Sequence, residues 1–173
     1  MSYSVYAYLT DADKIKKMYG SCDSKLFNQL SSLFRNELDE LNEYFRSYIN
    51  TSKDAYVILS DIINGEIHFP EIAFMYGYVY EKICKHYGRM IYNTENIWEL
   101  DKQSAFIPIP FSDNFPYIIS VQVFELEAKK EKYNTLKQGD GIGDYDYDQE
   151  MADLNFIFDE AIEAQKDLMI IVY

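Results

Sequence analysis

The stretch GDGIGDYDYDQE, Gly139 to Glu150, holds four aspartates and three of the seven glycines, residue types that suit a divalent cation or a phosphate. Spacing fails for the known motifs of both kinds, and a weak divalent-cation site stays only as a minor alternative. An EF-hand loop begun at Asp144 would place Asp146 and Asp148 correctly, but Gln149 stands where the turn glycine belongs and Asn155 where the closing glutamate belongs. A phosphate loop needs a Lys and a Ser or Thr directly after its last glycine, and a dinucleotide loop needs a different glycine spacing. The expected role is mechanical. The glycines permit a turn, and Asp146 with Gln149 resembles a capping box that opens a helix toward Gln165. Asp144 and Asp146 remain candidates for an acidic loop that faces a partner.

Other chemistry-bearing residues are sparse. His68 and His86 are the two histidines, and Cys84 and His86 lie two apart in a helical segment, where their side chains diverge. That spacing suits neither zinc nor a nucleophile pair. No nucleophile elbow, metalloprotease helix or Walker signature occurs. Two cysteines, Cys22 and Cys84, are too few for a disulfide framework, and Cys84 is expected to be a buried, reduced thiol. No metal, catalytic residue or cofactor is assigned.

What remains is acidity. Net charge is −13 and the pI is about 4.5, so 16 scattered Lys and Arg provide no footprint for nucleic acid or anionic membranes. Glu37, Asp39, Glu40 and Glu43 fall within seven residues and form a candidate ridge for a basic protein partner. The proline-rich segment IPIPFSDNFP, 107–116, adds Asp113 and Phe115 as candidate contacts, with Phe111 and Trp98 as further aromatic anchors. The 17 tyrosines accompany many Ile, Asn and Lys residues, a mixture expected from composition alone.

These residues need elements to position them. SYSVYAYL, Ser2 to Leu9, alternates with Val5, Ala7 and Leu9 on one face and Tyr6 and Tyr8 on the other, as a strand does. Asp11 or Asp13 caps a short helix through Met18, and Gly20 stops it. Leu26, Leu30, Leu33, Phe34, Leu38, Leu41, Tyr44, Phe45 and Tyr48 recur at helical spacing, with a break expected near Asn36. A further helix runs from Lys53 to Asn64 and ends at Gly65. Pro70 opens another, whose stripe continues from Ile72 to Ile83 before Gly88. A brief strand or turn is expected at Ile97–Leu100, then the extended proline loop. Tyr117–Phe124 reads as a buried strand, Glu125–Lys137 as a charged helix, Met151–Gln165 as a helix, and LMIIVY at 168–173 as an interior strand.

The reading is one α+β domain over 1–173: a small mixed sheet including both terminal strands, covered by a layer of helices. The N-terminus has no signal-peptide pattern and no apolar run spans a bilayer, so a cytoplasmic location is expected. In motif order the chain resembles a family of uncharacterised bacterial proteins of unknown function, distantly similar to YfbM-like proteins. SVYAYLTD, Tyr76-Gly77-Tyr78 ahead of Cys84, the IPIPFSDNFP loop and LMIIVY carry that resemblance. It assigns no residue a role, and the Asp/Gly loop and tyrosine content depart from its pattern. Small acidic proteins of this kind are similar in character to immunity proteins. The leading expectation is therefore a non-enzymatic acidic binding protein with a basic partner. A small hydrolase using a cleft carboxylate near 107–116, and a homo-oligomeric structural or regulatory protein, are the alternatives.

Overall fold

The computed structural model describes residues 4–48, 53–94, 104–110, 116–135 and 147–173. The centre is a four-stranded sheet of β1 (Val5–Thr10), β2 (Arg89–Thr94), β3 (Tyr117–Val121) and β4 (Asp167–Val172), in the order β2-β1-β4-β3. Sequence reading makes this sheet mixed, whereas every described pairing is antiparallel. The two strands near the chain ends lie side by side in the middle, with Val5 opposite Val172 and Leu9 opposite Leu168. Alternation along β1 sends Val5, Ala7 and Leu9 into one core and Tyr8 into another, so both faces of the sheet are covered. The α+β class and the place of both end strands agree with the sequence.

One face carries five helices: α1 (Ala12–Met18), α2 (Ser24–Leu33), α3 (Arg35–Tyr48), α4 (Ala55–Asn64) and α5 (Ala73–His86). The opposite face carries α6 (Leu126–Asn134) and α7 (Tyr147–Ala164), whose Leu154, Ile157, Phe158 and Ala161 pack on Ala7, Ile119 and Ile170. Asp11, Asp23 and Asp54 cap α1, α2 and α4 by accepting backbone N–H bonds, which satisfies donors that a helix start leaves open. Gly65 ends α4 in the left-handed conformation at φ +74°, the role its type predicts. The long Leu/Phe stripe breaks at Phe34, two residues before the expected point, and so yields α2 and α3.

Three elements differ from the sequence reading. Strand β2 leaves little mark in the sequence, because an edge strand with one neighbour needs no continuous apolar face, and Arg89 and Met90 are exposed. β3 ends at Val121, since Gln122 caps a 3-10 turn over Val123–Glu125 that leads into α6. Pro70 opens a 3-10 turn, Pro70–Ile72, ahead of α5. The expected strand at 97–100, the glycine turn at 139–143 and the Asp146 cap lie outside the described residues. Among the described residues no helix is long and apolar enough to cross a membrane.

Candidate functional site

Helices α3 and α5 run antiparallel. Phe34, just before α3, meets His86 at the end of α5, while Phe45 late in α3 meets Phe74 at the start of α5. Between them and the ends of β1 and β4 lies a cleft of about 470 Å³, within the range of small-molecule sites. Its wall on α3 is Glu37, Glu40, Leu41 and Tyr44; its wall on α5 is Tyr78, Glu81, Lys82 and Lys85. Both sets fall at i, i+3, i+4 and i+7, the spacing that puts side chains on one helical face. Tyr6 and Tyr173 close the cleft from the sheet, and their rings meet edge to face at 5.8 Å.

Glu81 is the polar centre of this arrangement. Its side chain is 4% exposed, and each carboxylate oxygen takes one phenol and one ammonium. Oε1 accepts from the Tyr8 hydroxyl at 2.6 Å and pairs with Lys85 Nζ at 3.0 Å. Oε2 accepts from the Tyr173 hydroxyl at 2.5 Å and from Lys82 Nζ at 3.2 Å. A carboxylate has about four acceptor positions, so Glu81 is saturated. Burial, the largest influence, pushes its carboxyl up; the Lys82 charge, the Tyr173 and Tyr8 hydrogen bonds and the Lys85 charge outweigh it and hold the group below its ordinary range. Glu81 is thus a fixed anion and has no proton to lend as a general acid at neutral pH.

The same partnership recurs elsewhere. Asp61, buried on α4, accepts from the Tyr76 hydroxyl at 2.8 Å and pairs with Lys53, whose ammonium lies 4.0 Å from the centroid of the Phe69 ring. Asp153 on α7 accepts from the Tyr92 hydroxyl at 2.6 Å. Asp39 accepts from the Tyr56 hydroxyl at 2.9 Å. Tyr8, Tyr56, Tyr76, Tyr92 and Tyr173 thus all donate to carboxylates, a structural employment that composition alone does not supply. Tyrosine suits it because the ring fills apolar space while the hydroxyl meets the buried charge.

The residues singled out in the sequence separate as follows. Glu37, Asp39, Glu40 and Glu43 are all exposed on α3, and none forms an ion pair among the described residues. Glu37 and Glu40 turn toward the cleft, whereas Asp39 turns toward α4 and its Tyr56. Asp113, Phe115, Asp144 and Asp146, with Phe111 and Trp98, lie outside the described residues. Cys84 is buried and burial pushes its thiol up, in line with an inert, reduced cysteine, while His86 is exposed. No group of three metal-ligating side chains occurs among the described residues. Sequence reasoning missed Glu81 and its tyrosines; the available signal was a carboxylate set within the apolar run of α5.

The family model described as Domain of unknown function (DUF7691) matches residues 1–173, and the chain belongs to that family. No curated protein and no solved structure matches it.

Proposed function

We propose that the protein is a non-enzymatic, immunity-like binding protein of the cytoplasm that docks a basic protein partner on the acidic side of α3. The observation that carries this reading is the exposure of Glu37, Asp39, Glu40 and Glu43 on one helix with no cation paired to any of them among the described residues. Like charges at these spacings cost a helix roughly 0.2–0.5 kcal/mol per pair, a strain that a partner of opposite sign relieves on docking. A net charge of −13 also draws such a partner in from a distance. The Tyr56 bond to Asp39 ties the ridge to α4. Asp113, Phe115, Asp144 and Asp146 extend the proposed contact surface on sequence grounds. The hydrolase alternative gains nothing from Glu81, whose charge is fixed in the wrong protonation state for a general acid.

The test is binding of a lysine-rich basic peptide, followed by fluorescence anisotropy, to the wild type and to the D39K/E43K variant. Affinity is expected to fall about tenfold on charge reversal and to weaken steeply between about 50 and 300 mM salt. Equal binding by both forms, or none by the wild type, would sink the reading.

A further inference from the structure

The two helical walls of the cleft carry opposite charge and do not neutralise each other. Glu37 and Glu40 line the α3 side, Lys82 and Lys85 the α5 side, yet none of the four pairs across the gap among the described residues. Both lysines bond Glu81 instead. An ammonium has three donors, each lysine uses one there and Lys85 also faces the Tyr8 ring at 5.5 Å, so each lysine keeps donor capacity for an occupant. Glu81 cancels one of the two lysine charges, which leaves the α5 wall cationic and the α3 wall anionic. Because the helices are antiparallel, the aromatic ends coincide: the Tyr44 and Tyr78 rings stand 5.2 Å apart at one end, with their hydroxyls 3.1 Å apart.

A simple anion entering this cleft meets two carboxylates, and a simple cation meets two ammoniums. A molecule bearing both charges meets neither conflict. We propose that the cleft binds a small zwitterion built like a free amino acid with an aromatic or apolar side chain. Its ammonium pairs with Glu37 and Glu40, its carboxylate takes charge-assisted hydrogen bonds from Lys82 and Lys85, and its side chain packs on Tyr44 and Tyr78. Glu81, whose oxygens are already taken by two phenols and two ammoniums, is the positioning residue that aims the lysines. The site shares Glu37 and Glu40 with the acidic ridge of α3 but makes no use of Asp39 or Glu43, so different variants test the two readings.

Calorimetric titration with L-phenylalanine, phenylalaninamide and N-acetyl-phenylalanine tests the assignment, since the second lacks the carboxylate and the third the ammonium. The zwitterion is expected to bind about tenfold or more tightly than either blocked form. The exposed double variant E37Q/E40Q should abolish the gap between phenylalanine and its N-acetyl form. K85M should narrow the gap between phenylalanine and its amide, with circular dichroism reporting the fold of each variant. If K85M does not fold, the E37Q/E40Q comparison decides alone. No heat with phenylalanine up to about 10 mM would overturn the proposal, since that limit is weaker than any useful site. Equal or tighter binding of the amide would overturn it by making the cleft a cation site, as would equal binding of the N-acetyl form by making it an anion site. Neither result would touch the D39K/E43K outcome, so the two proposals fail separately.

Discussion

Tyr8 and Glu81 stand 73 positions apart in the chain, and the phenol of one donates a 2.6 Å hydrogen bond to Oε1 of the other. Tyr173, directly after β4, bonds the second oxygen of the same carboxylate. Glu81 therefore clips the two central strands to the helix that covers them. Each member of the clip depends on the others. Buried phenols need an acceptor, the carboxylate needs donors to remain charged out of water, and Lys82 and Lys85 complete the neutralisation.

Removing the carboxylate should cost more than any exposed substitution. In E81Q two lysines keep their charge beside a group that no longer balances it, and a loss of about 3–5 kcal/mol is expected from urea unfolding at neutral pH. The effect depends on acidity in a definite direction. Because the folded protein holds Glu81 below its ordinary value of 4.5, its contribution is complete above that pH and is lost as the pH falls through the lower folded value. The wild type should lose stability over that acid window with a steeper slope than E81Q. Parallel slopes would show that Glu81 does not govern acid unfolding.

Tyrosine titration gives a second check at the alkaline end. The hydrogen bond to Asp153, then burial and the Asp153 charge, push the Tyr92 hydroxyl up to about 12 from 10.0. Tyr8 and Tyr173 are raised further still, first by burial and then by the Glu81 charge and hydrogen bond. A raised folded value means that the fold is favoured while these groups stay neutral and loses that support as the pH climbs past the unfolded value. Ultraviolet titration of tyrosinate should show one component near 12 in the native protein. That component should vanish in Y92F and move toward 10.0 in D153N. Ionisation of Tyr8 and Tyr173 should appear only together with unfolding.

The sequence carried some of this and not the rest, for reasons that particular residues make clear. Alternation along Val5–Leu9 is a local signal, and it placed Tyr8 on the opposite face from Val5, Ala7 and Leu9 correctly. Gly65 and the Leu/Phe stripe are equally local, so α4 and the α2–α3 pair were readable, with the break displaced by two residues. The site is different in kind. Tyr8, Glu81 and Tyr173 converge only through sheet pairing and helix packing, and nothing in the spacing of 8, 81 and 173 announces it. Residue type misled as well, because a glutamate on a helix is ordinarily solvated, and Glu81 is 3% exposed. The four acidic residues of α3 were readable as an exposed group; that two of them edge a cleft depends on where α5 lies.

Gly88 separates a helix-stopping role from a packing role. Sequence reading treats it as the residue that ends α5, but among the described residues the positive-φ glycines are Gly20 and Gly65. A side chain at Gly88 would instead place its Cβ 1.8 Å from the Leu9 carbonyl oxygen and 2.9 Å from Thr10 Cα, both main-chain atoms of β1. The close approach follows from the chain's path, since Arg89 must pair opposite Leu9 as soon as the helix ends. Main chain in a central strand cannot swing aside, so G88A is expected to cost at least about 3 kcal/mol or to prevent folding. Gly77 offers the control. There a Cβ meets Pro116 Cγ at 2.7 Å, a side-chain atom at the start of a strand. G77A should cost less, roughly 1–2 kcal/mol, because the atoms in the way are side-chain atoms and not the main chain of a central strand. Urea unfolding of the two variants side by side decides the point, and a G88A protein as stable as G77A would mean that β2 does not pair with β1 in the register described.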